Sequence, residues 1–189
     1  DPEAGAFANK VLEYNPAPSQ YMNTSYTAYE EGFTGIQVLA RATELLQDRT
    51  TCLFTLGGFG GNITVGFDHT IPNVPGEYDF KIYGNAYYDM YGTLLDKPGG
   101  NSEPGIVLVS KDTNGNGLPD DEWYELAGSE YNSPATIRNY EITYYRPTPA
   151  DGDVKWKDNQ GKEGYIYRNT YHTQGSYYPA WMPAEITFR

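Results

Sequence analysis

Residues 51–67 have the sequence TCLFTLGGFGGNITVGF, in which two short apolar runs flank a glycine-rich turn. The runs, 51–56 and 63–67, are too short for ordinary helices and are bounded by turn residues, which is typical of buried β-strands. The glycines between residues 57 and 61 predict a tight turn or a close approach of another part of the backbone. A phosphate-binding loop is not indicated, because the turn does not open a helix and lacks the Lys-Ser/Thr of a P-loop.

Further short strands are predicted on the C-terminal side of this stretch. Residues 77–83 alternate, with Tyr78, Phe80 and Ile82 on one face and charged side chains on the other, which predicts a strand with one core face. Weaker or shorter patterns predict strands at 106–110, 123–126, 140–145, 154–156, 165–167 and 186–188. Many short strands separated by Gly, Pro and Asn turns predict a mostly β fold, an antiparallel β-sandwich or jelly roll.

One amphipathic helix is predicted near the N-terminus, at 35–48, with Thr34 as its cap. Apolar residues recur there at spacings of three and four, which gives one apolar face, at Ile36, Leu39, Ala42, Leu45 and Leu46. We expect one domain, in which residues 1–49 form an extended segment plus this helix packed on the sandwich. Residues 50–189 would form the β-sandwich itself.

The composition excludes several classes of protein. The chain has 13 Lys and Arg against 25 Asp and Glu, a net charge of −12, which argues against nucleic acid as a partner. The sequence contains no run of about 18 apolar residues, so it predicts no transmembrane segment. The single cysteine, Cys52, excludes an internal disulfide framework and is expected to be a buried, inert thiol.

The segment 112–122, DTNGNGLPDDE, resembles the first half of a calcium loop. Side-chain oxygens at positions 1, 3 and 5 converge in a curling loop, Gly117 at position 6 permits the turn, and Leu118 would offer its carbonyl. The expected calcium donors are Asp112, Asn114, Asn116, Leu118, Asp120 and Asp121, and Glu122 is an alternative closing ligand. The loop departs from an EF-hand, because Trp123 stands at position 12 and strands are predicted on both sides. An Asn-Gly hairpin turn without metal is the alternative.

Two clusters of aromatic residues lie in loop-like stretches and are candidate ligand-binding residues. The first cluster is Tyr87, Tyr88 and Tyr91, and the second is Tyr177, Tyr178 and Trp181. Flat rings stack on sugar rings or other planar-faced ligands, and phenolic hydroxyls add hydrogen bonds. The alternative is that these rings cover the ends of the sandwich.

Catalytic residues are less well indicated, and no catalytic residue is assigned. Glu103 and Glu125 are carboxylates that could pair for glycoside hydrolysis, although Glu103 could equally organise a turn. The two histidines, His69 and His172, lack the Gly-x-Ser-x-Gly nucleophile elbow of a serine hydrolase nearby.

Several of these stretches, taken in order, resemble a family of Bacteroidetes cell-surface lipoproteins described only as cell surface proteins. The stretches are 56–61 (LGGFGG), 66–71 (GFDHTI), 78–86 (YDFKIYGNA), 102–110 (SEPGIVLVS), the Asp/Asn loop and 123–131 (WYELAGSEY). The resemblance covers roughly residues 50–182. It implies a jelly-roll or galactose-binding-like β-sandwich on the outer face of the outer membrane, often encoded near nutrient-uptake loci that include those for corrinoids. It also implies that the domain continues past the position of Arg189.

Three functions follow as hypotheses. The first is a non-enzymatic cell-surface module that binds a glycan or another nutrient such as a corrinoid, with a calcium-stabilised loop and a possible outer-membrane uptake complex as partner. The second is a hydrolase or lyase that acts on polysaccharide with paired carboxylates. The third is an adhesin or structural module that binds a protein partner.

Overall fold

A computed structural model describes residues 5, 7–46, 53–89, 99–171 and 175–189. In chain order these residues form β1 (Lys10–Asn15), a 3-10 helix (Ser25–Thr27), α1 (Gly35–Leu46), β2 (Asn62–Gly66), β3 (Tyr87–Tyr88), β4 (Gly100–Asn101), β5 (Leu108–Ser110), β6 (Trp123–Glu125), β7 (Ile142–Tyr145), β8 (Val154–Asp158), β9 (Glu163–Ile166) and β10 (Glu185–Phe188). The strands pair in antiparallel sheets, so the described residues confirm a β-rich fold with one α-helix. Among these residues no helix combines the length and the apolar character that crossing a membrane requires.

The chain divides into two compact units. The first unit consists of Asp1–His69 and Ile137–Arg189, and the second unit consists of Thr70–Thr136. The buried hydrophobic residues all belong to the first unit, whereas no described residue of the second unit is buried. The hydrophobic core of the described chain therefore lies in the first unit.

Helix α1 forms where the apolar spacing predicts it, and its N-terminus is closed by Thr34 and Gln37. The Thr34 hydroxyl accepts from the Gln37 N–H at 3.4 Å, and the Gln37 side-chain oxygen accepts from the Thr34 N–H at 3.0 Å. This reciprocal pair satisfies amides that the first helical turn leaves without partners. Ile36 is exposed, so the buried face is narrower than the sequence predicts, and residues 47 and 48 of the predicted helix lie outside the described residues.

The helix packs on the two-stranded sheet of β1 and β2. Val38 and Ala42 of α1 are buried against Val11 and Tyr14 of β1. The register of β1 shifts between Val11 and Glu13, and the Thr43 hydroxyl accepts from the Val11 N–H at 3.0 Å. The Thr43 hydroxyl also donates to Val11 O at 3.4 Å, so a helix side chain satisfies both backbone groups of Val11 at the open edge of β1.

The glycine turn brings distant parts of the backbone together, as the sequence predicts. Gly57 forms an isolated bridge with Ala17, and a Cβ on Gly57 would lie 1.8 Å from the Ala17 carbonyl oxygen. A Cβ on Gly60 would lie 2.2 Å from the Cβ of Phe188. Both positions therefore require glycine, because another residue would collide with the neighbouring chain.

The strand predicted at 51–56 is wrong for its described part, residues 53–56, which form no strand. Their backbone groups pair instead with the N-terminal segment. The Thr55 N–H donates to Tyr26 O at 2.9 Å, and the Ala17 N–H donates to Leu56 O at 2.8 Å. These long-range bonds satisfy the backbone without a regular strand pairing. Cys52 lies outside the described residues.

A four-stranded antiparallel sheet, in the order β10-β7-β8-β9, forms the other part of the first unit. One face of this sheet is apolar and belongs to the main core, which contains Ala17, Ile142, Tyr144, Val154, Tyr177, Tyr178 and Phe188. Tyr144 donates its hydroxyl to the Phe59 carbonyl at 3.1 Å, so a buried polar group of the sheet is satisfied by the glycine turn.

The second unit contains two short hairpins, β3-β4 and β5-β6. The strand predicted at 77–83 does not form, and Tyr78, Phe80 and Ile82 are exposed rather than in a core. The alternating pattern alone does not create a strand, because a strand also needs a partner for its backbone groups. No strand of the described chain pairs with this segment.

Candidate functional site

The Asp/Asn loop connects β5 to β6 in the second unit and curls around the Asp112 carboxylate. Asp112 Oδ1 accepts from the Gly115 N–H at 2.7 Å and Oδ2 accepts from the Gly117 N–H at 2.8 Å. Asn114 and Asn116 repeat the pattern, each accepting from the N–H two residues further on, at 2.9 and 2.8 Å. Gly115 and Gly117 have φ values of +73° and +74°, a backbone that glycine adopts without strain. The loop is therefore built by local side-chain-to-backbone bonds.

The closing carboxylates of the loop lie next to its asparagines. The Asn116 side-chain amide donates to Asp120 Oδ2 at 3.0 Å, and the Asn114 amide lies 3.4 Å from Asp120 Oδ1. The Thr113 hydroxyl donates to Asp121 Oδ1. The structure thus brings Asp112, Asn114, Asn116 and Asp120 into one hydrogen-bonded group, with Asp121 at its edge.

One carboxylate oxygen of this loop lacks a hydrogen-bond partner among the described residues. Asp121 Oδ2 is buried and has no hydrogen-bond partner among the described residues. A buried carboxylate oxygen without a partner is costly, and a cation is one group that satisfies it. No three His, Cys, Asp or Glu side chains form a metal-ligating group in the described part of the chain, so a cation here would also need amide and carbonyl oxygens. Calcium accepts such a donor set.

The first aromatic cluster lies on a hairpin strand rather than in a loop. Tyr87 and Tyr88 form β3, which pairs with β4, and the two residues are 61% and 85% exposed. Neighbouring residues of a strand point to opposite faces, so a planar ligand can stack on one of these rings at a time. A Cβ on Gly100 would lie 2.2 Å from Tyr87 O, so glycine is required for the close pairing of the two strands. Tyr91 lies outside the described residues.

The residues of the second aromatic cluster pack against other side chains of the first unit. Tyr177 and Tyr178 are buried in the main core, and burial raises the pKa of Tyr178 to about 12. The Tyr178 hydroxyl donates to Pro183 O at 2.6 Å, and its ring faces the Arg146 guanidinium at 4.8 Å. Trp181 stacks on Tyr29 at a centroid distance of 5.3 Å. Tyr177 and Tyr178 therefore have no open ring face for a ligand, which argues against the predicted binding role.

The surroundings of Glu103 and Glu125, the two carboxylates considered for hydrolysis, indicate structural roles. Glu103 adopts a φ of +41° and its Oε1 accepts from the Asn101 side-chain amide. Glu125 is exposed on β6, where it lies opposite Leu108.

His69 Nδ1 lies 2.6 Å from Asp68 Oδ1, and this contact is the main cause that lowers the pKa of Asp68. His172 lies outside the described residues.

Sequence reasoning misses a third set of tyrosines on the solvent side of the four-stranded sheet, of which Tyr165 and Tyr167 are exposed and Tyr145 is half-buried. The available signal is the alternation in 165–167, where tyrosines flank the inward-facing Ile166. This pattern predicts that the two rings share one face of a strand.

No family model and no curated protein matches this chain.

Proposed function

We propose that this chain is a non-enzymatic ligand-binding module of a Bacteroidetes cell-surface lipoprotein. Its ligand would be a glycan or another nutrient such as a corrinoid, captured at the outer membrane for an uptake complex. In this proposal the β-rich fold is an antiparallel β-sandwich or jelly roll that carries the binding residues. The order of motifs from 56 to 131 supports the family and the location.

The observation that carries the binding role is the pair of exposed rings on β3. Tyr87 and Tyr88 are held by strand pairing and are 61% and 85% exposed. Strand pairing fixes the backbone that carries these rings, and a tyrosine side chain has only two χ angles to order when it stacks on a ligand. By contrast, nothing in the surroundings of Glu103 and Glu125 favours a pair of catalytic carboxylates.

The binding role is tested by calorimetry with a panel of soluble glycans and with cyanocobalamin. We expect at least one of these probes to bind, and Tyr88→Ala to weaken that binding by about tenfold, in line with the loss of one stacked ring. Tyr78→Ala is the matched control, because Tyr78 is a fully exposed tyrosine of the same unit outside the hairpin. Binding that survives both Tyr87→Ala and Tyr88→Ala would remove the assignment.

We also propose that the Asp/Asn loop holds a structural calcium ion. Asp112, Asn114, Asn116, Asp120 and Asp121 would supply side-chain oxygens and Leu118 its carbonyl. The buried, unpartnered Asp121 Oδ2 supports this assignment. When bound, the ion neutralises the carboxylates and links the two ends of the loop, so it stabilises the β5-β6 hairpin.

The calcium proposal is tested by thermal unfolding with and without a chelator. At free calcium about 100 times its dissociation constant, binding stabilises the folded state by about 2.7 kcal/mol, so chelation should lower the melting temperature by about 5–10 °C. Asp121→Asn should abolish this calcium response, whereas Glu130→Gln, which removes one charge elsewhere in the second unit, should keep it. A melting curve that chelation leaves unchanged would contradict the proposal.

A further inference from the structure

The four-stranded sheet presents a second face, opposite the core, that the proposed function does not use. The strand register aligns its side chains in two rows across the sheet. One row is Glu185, Tyr145, Lys155 and Tyr165, and the next is Thr187, Thr143, Lys157 and Glu163. We call these residues together with Tyr167 the outer face.

Tyrosine rings stand out on this outer face. Tyr165 and Tyr167 are 48% and 70% exposed, and their ring centroids lie 6.0 Å apart at an angle of 36°. Tyr145, which is half-buried, lies two strands away in the same row as Tyr165, at a strand spacing of about 10 Å. The solvent side of an antiparallel sheet is ordinarily polar, so aromatic rings there need an explanation.

Strand β9, which carries Tyr165 and ends one residue before Tyr167, is packed from the core side. Gly164 lies opposite Trp156, and a Cβ on Gly164 would lie 2.8 Å from the Trp156 ring. The indole therefore packs directly over the backbone of β9. On the outer face, Glu163 Oε2 lies 3.2 Å from Lys155 Nζ and 3.5 Å from Lys157 Nζ. Packing beneath and ion pairs above hold the β9 backbone next to Tyr165, which lowers the entropy cost of ordering this strand on binding.

The charges of the outer face balance, although the chain carries a net charge of −12. Lys155 and Lys157 offset Glu163 and Glu185, and at the edge Arg189 Nε lies 2.7 Å from Glu141 Oε1. A locally neutral surface offers a polyanion no net attraction, and an uncharged ligand needs none. The charge pattern therefore favours an uncharged partner.

Hydrogen-bonding groups surround the rings on this face. The Thr143 and Thr187 hydroxyls lie 2.8 Å apart, and the lysine and glutamate side chains remain partly exposed. Hydroxyl-rich ligands can exchange donors and acceptors with such groups while a ring stacks on their C–H faces. A sugar chain presents both kinds of group along its length.

We propose that the outer face binds a neutral polysaccharide chain, with Tyr165 and Tyr167 as the stacking rings and Tyr145 as a further contact. The site goes beyond the proposed function, which places a ligand on β3 in the other unit. Spread over several strands, the rings suit an extended chain better than a compact small molecule. Lys155, Glu163 and the two threonines supply hydrogen bonds to sugar hydroxyls.

The test is affinity gel electrophoresis with neutral β-glucan, xylan, mannan and galactan, and with polygalacturonate as the charged probe. We expect at least one neutral polysaccharide to retard the protein. Tyr165→Ala combined with Tyr167→Ala should weaken that retardation by about tenfold or more, since two stacking rings are lost. Tyr171→Ala is the matched control, because Tyr171 is an exposed tyrosine of the same unit outside the strands of this sheet. Thermal melting should be unchanged in all these variants.

Several results would overturn this proposal. Retardation by none of the neutral probes, or by polygalacturonate alone, would contradict a neutral-glycan site. Retardation that survives the double variant but is lost in Tyr87→Ala/Tyr88→Ala would place binding on β3 and support the proposed function without the outer face. A dimer in sedimentation that the double variant dissociates would identify the face as an interface between copies of this chain.

Discussion

Replacing Gly57 by alanine tests how the glycine turn holds the N-terminal segment. Gly57 has a φ of +80°, and its Cβ would lie 1.8 Å from the Ala17 carbonyl oxygen and 2.8 Å from the Ala17 carbonyl carbon. Gly161 has the same φ of +80° but meets nothing within 4 Å. Gly161→Ala is therefore a matched control that carries the backbone strain without the collision.

The expected magnitude follows from these contacts. Alanine in a left-handed backbone costs about 1–2 kcal/mol, and reduced freedom of the unfolded chain returns about 0.4–1 kcal/mol, so Gly161→Ala should destabilise by about 1 kcal/mol. At Gly57 the backbones must also separate. The bonds from Ala17 N–H to Leu56 O (2.8 Å) and from Gly58 N–H to Ala17 O (3.4 Å) would be lost, at about 1 kcal/mol each. Gly57→Ala should thus destabilise by about 3 kcal/mol.

Thermal and urea unfolding followed by circular dichroism measure both variants against the original chain. For a protein of this size about 1 kcal/mol corresponds to 2–4 °C, so we expect losses of about 6–12 °C for Gly57→Ala and about 2–4 °C for Gly161→Ala. If both variants lose the same amount, the close approach of Ala17 does not stabilise the fold, and the reasoning is refuted.

Three further predictions concern the first unit. Burial raises the pKa of Tyr14 and Tyr144 well above the value of about 10 in the unfolded chain. As pH rises above 10, the free energy of unfolding should therefore fall by about 1.4 kcal/mol per pH unit for each tyrosine, which urea unfolding across alkaline pH measures. Asn23→Ala removes bonds to Tyr178 O (2.9 Å) and from Ala180 N–H (2.7 Å) and should cost about 2 kcal/mol in urea unfolding; an unchanged midpoint would contradict this role. Gly164→Ala should cost about 1–3 kcal/mol, because its Cβ would overlap the Trp156 ring (2.8 Å), and a neutral effect would show that the ring can move aside.

The candidate sites differ in how far the sequence could predict them. The Asp/Asn loop is predictable because its bonds join residues two to eight positions apart, such as Asp112 Oδ2 to the Gly117 N–H at 2.8 Å. The burial of the aromatic residues is not predictable from the sequence, because a tyrosine serves equally well in a core and on a surface. Tyr178 fills the core, whereas Tyr167, also in a short aromatic stretch, is exposed. Their burial depends on which other segments pack against them, and those segments lie far apart in sequence.

The sequence by itself determined the features that depend on near neighbours. Apolar spacing and the Thr34/Gln37 pair specify α1, short apolar patterns locate β7 to β10 approximately, and glycines mark the turn at 57–61. Only the tertiary structure decided which strands pair, how Ala17 reaches Gly57, and which tyrosines remain open to a ligand. The physical reason is that pairing and burial are collective: each segment finds its partner only when distant segments satisfy its backbone bonds and cover its apolar side.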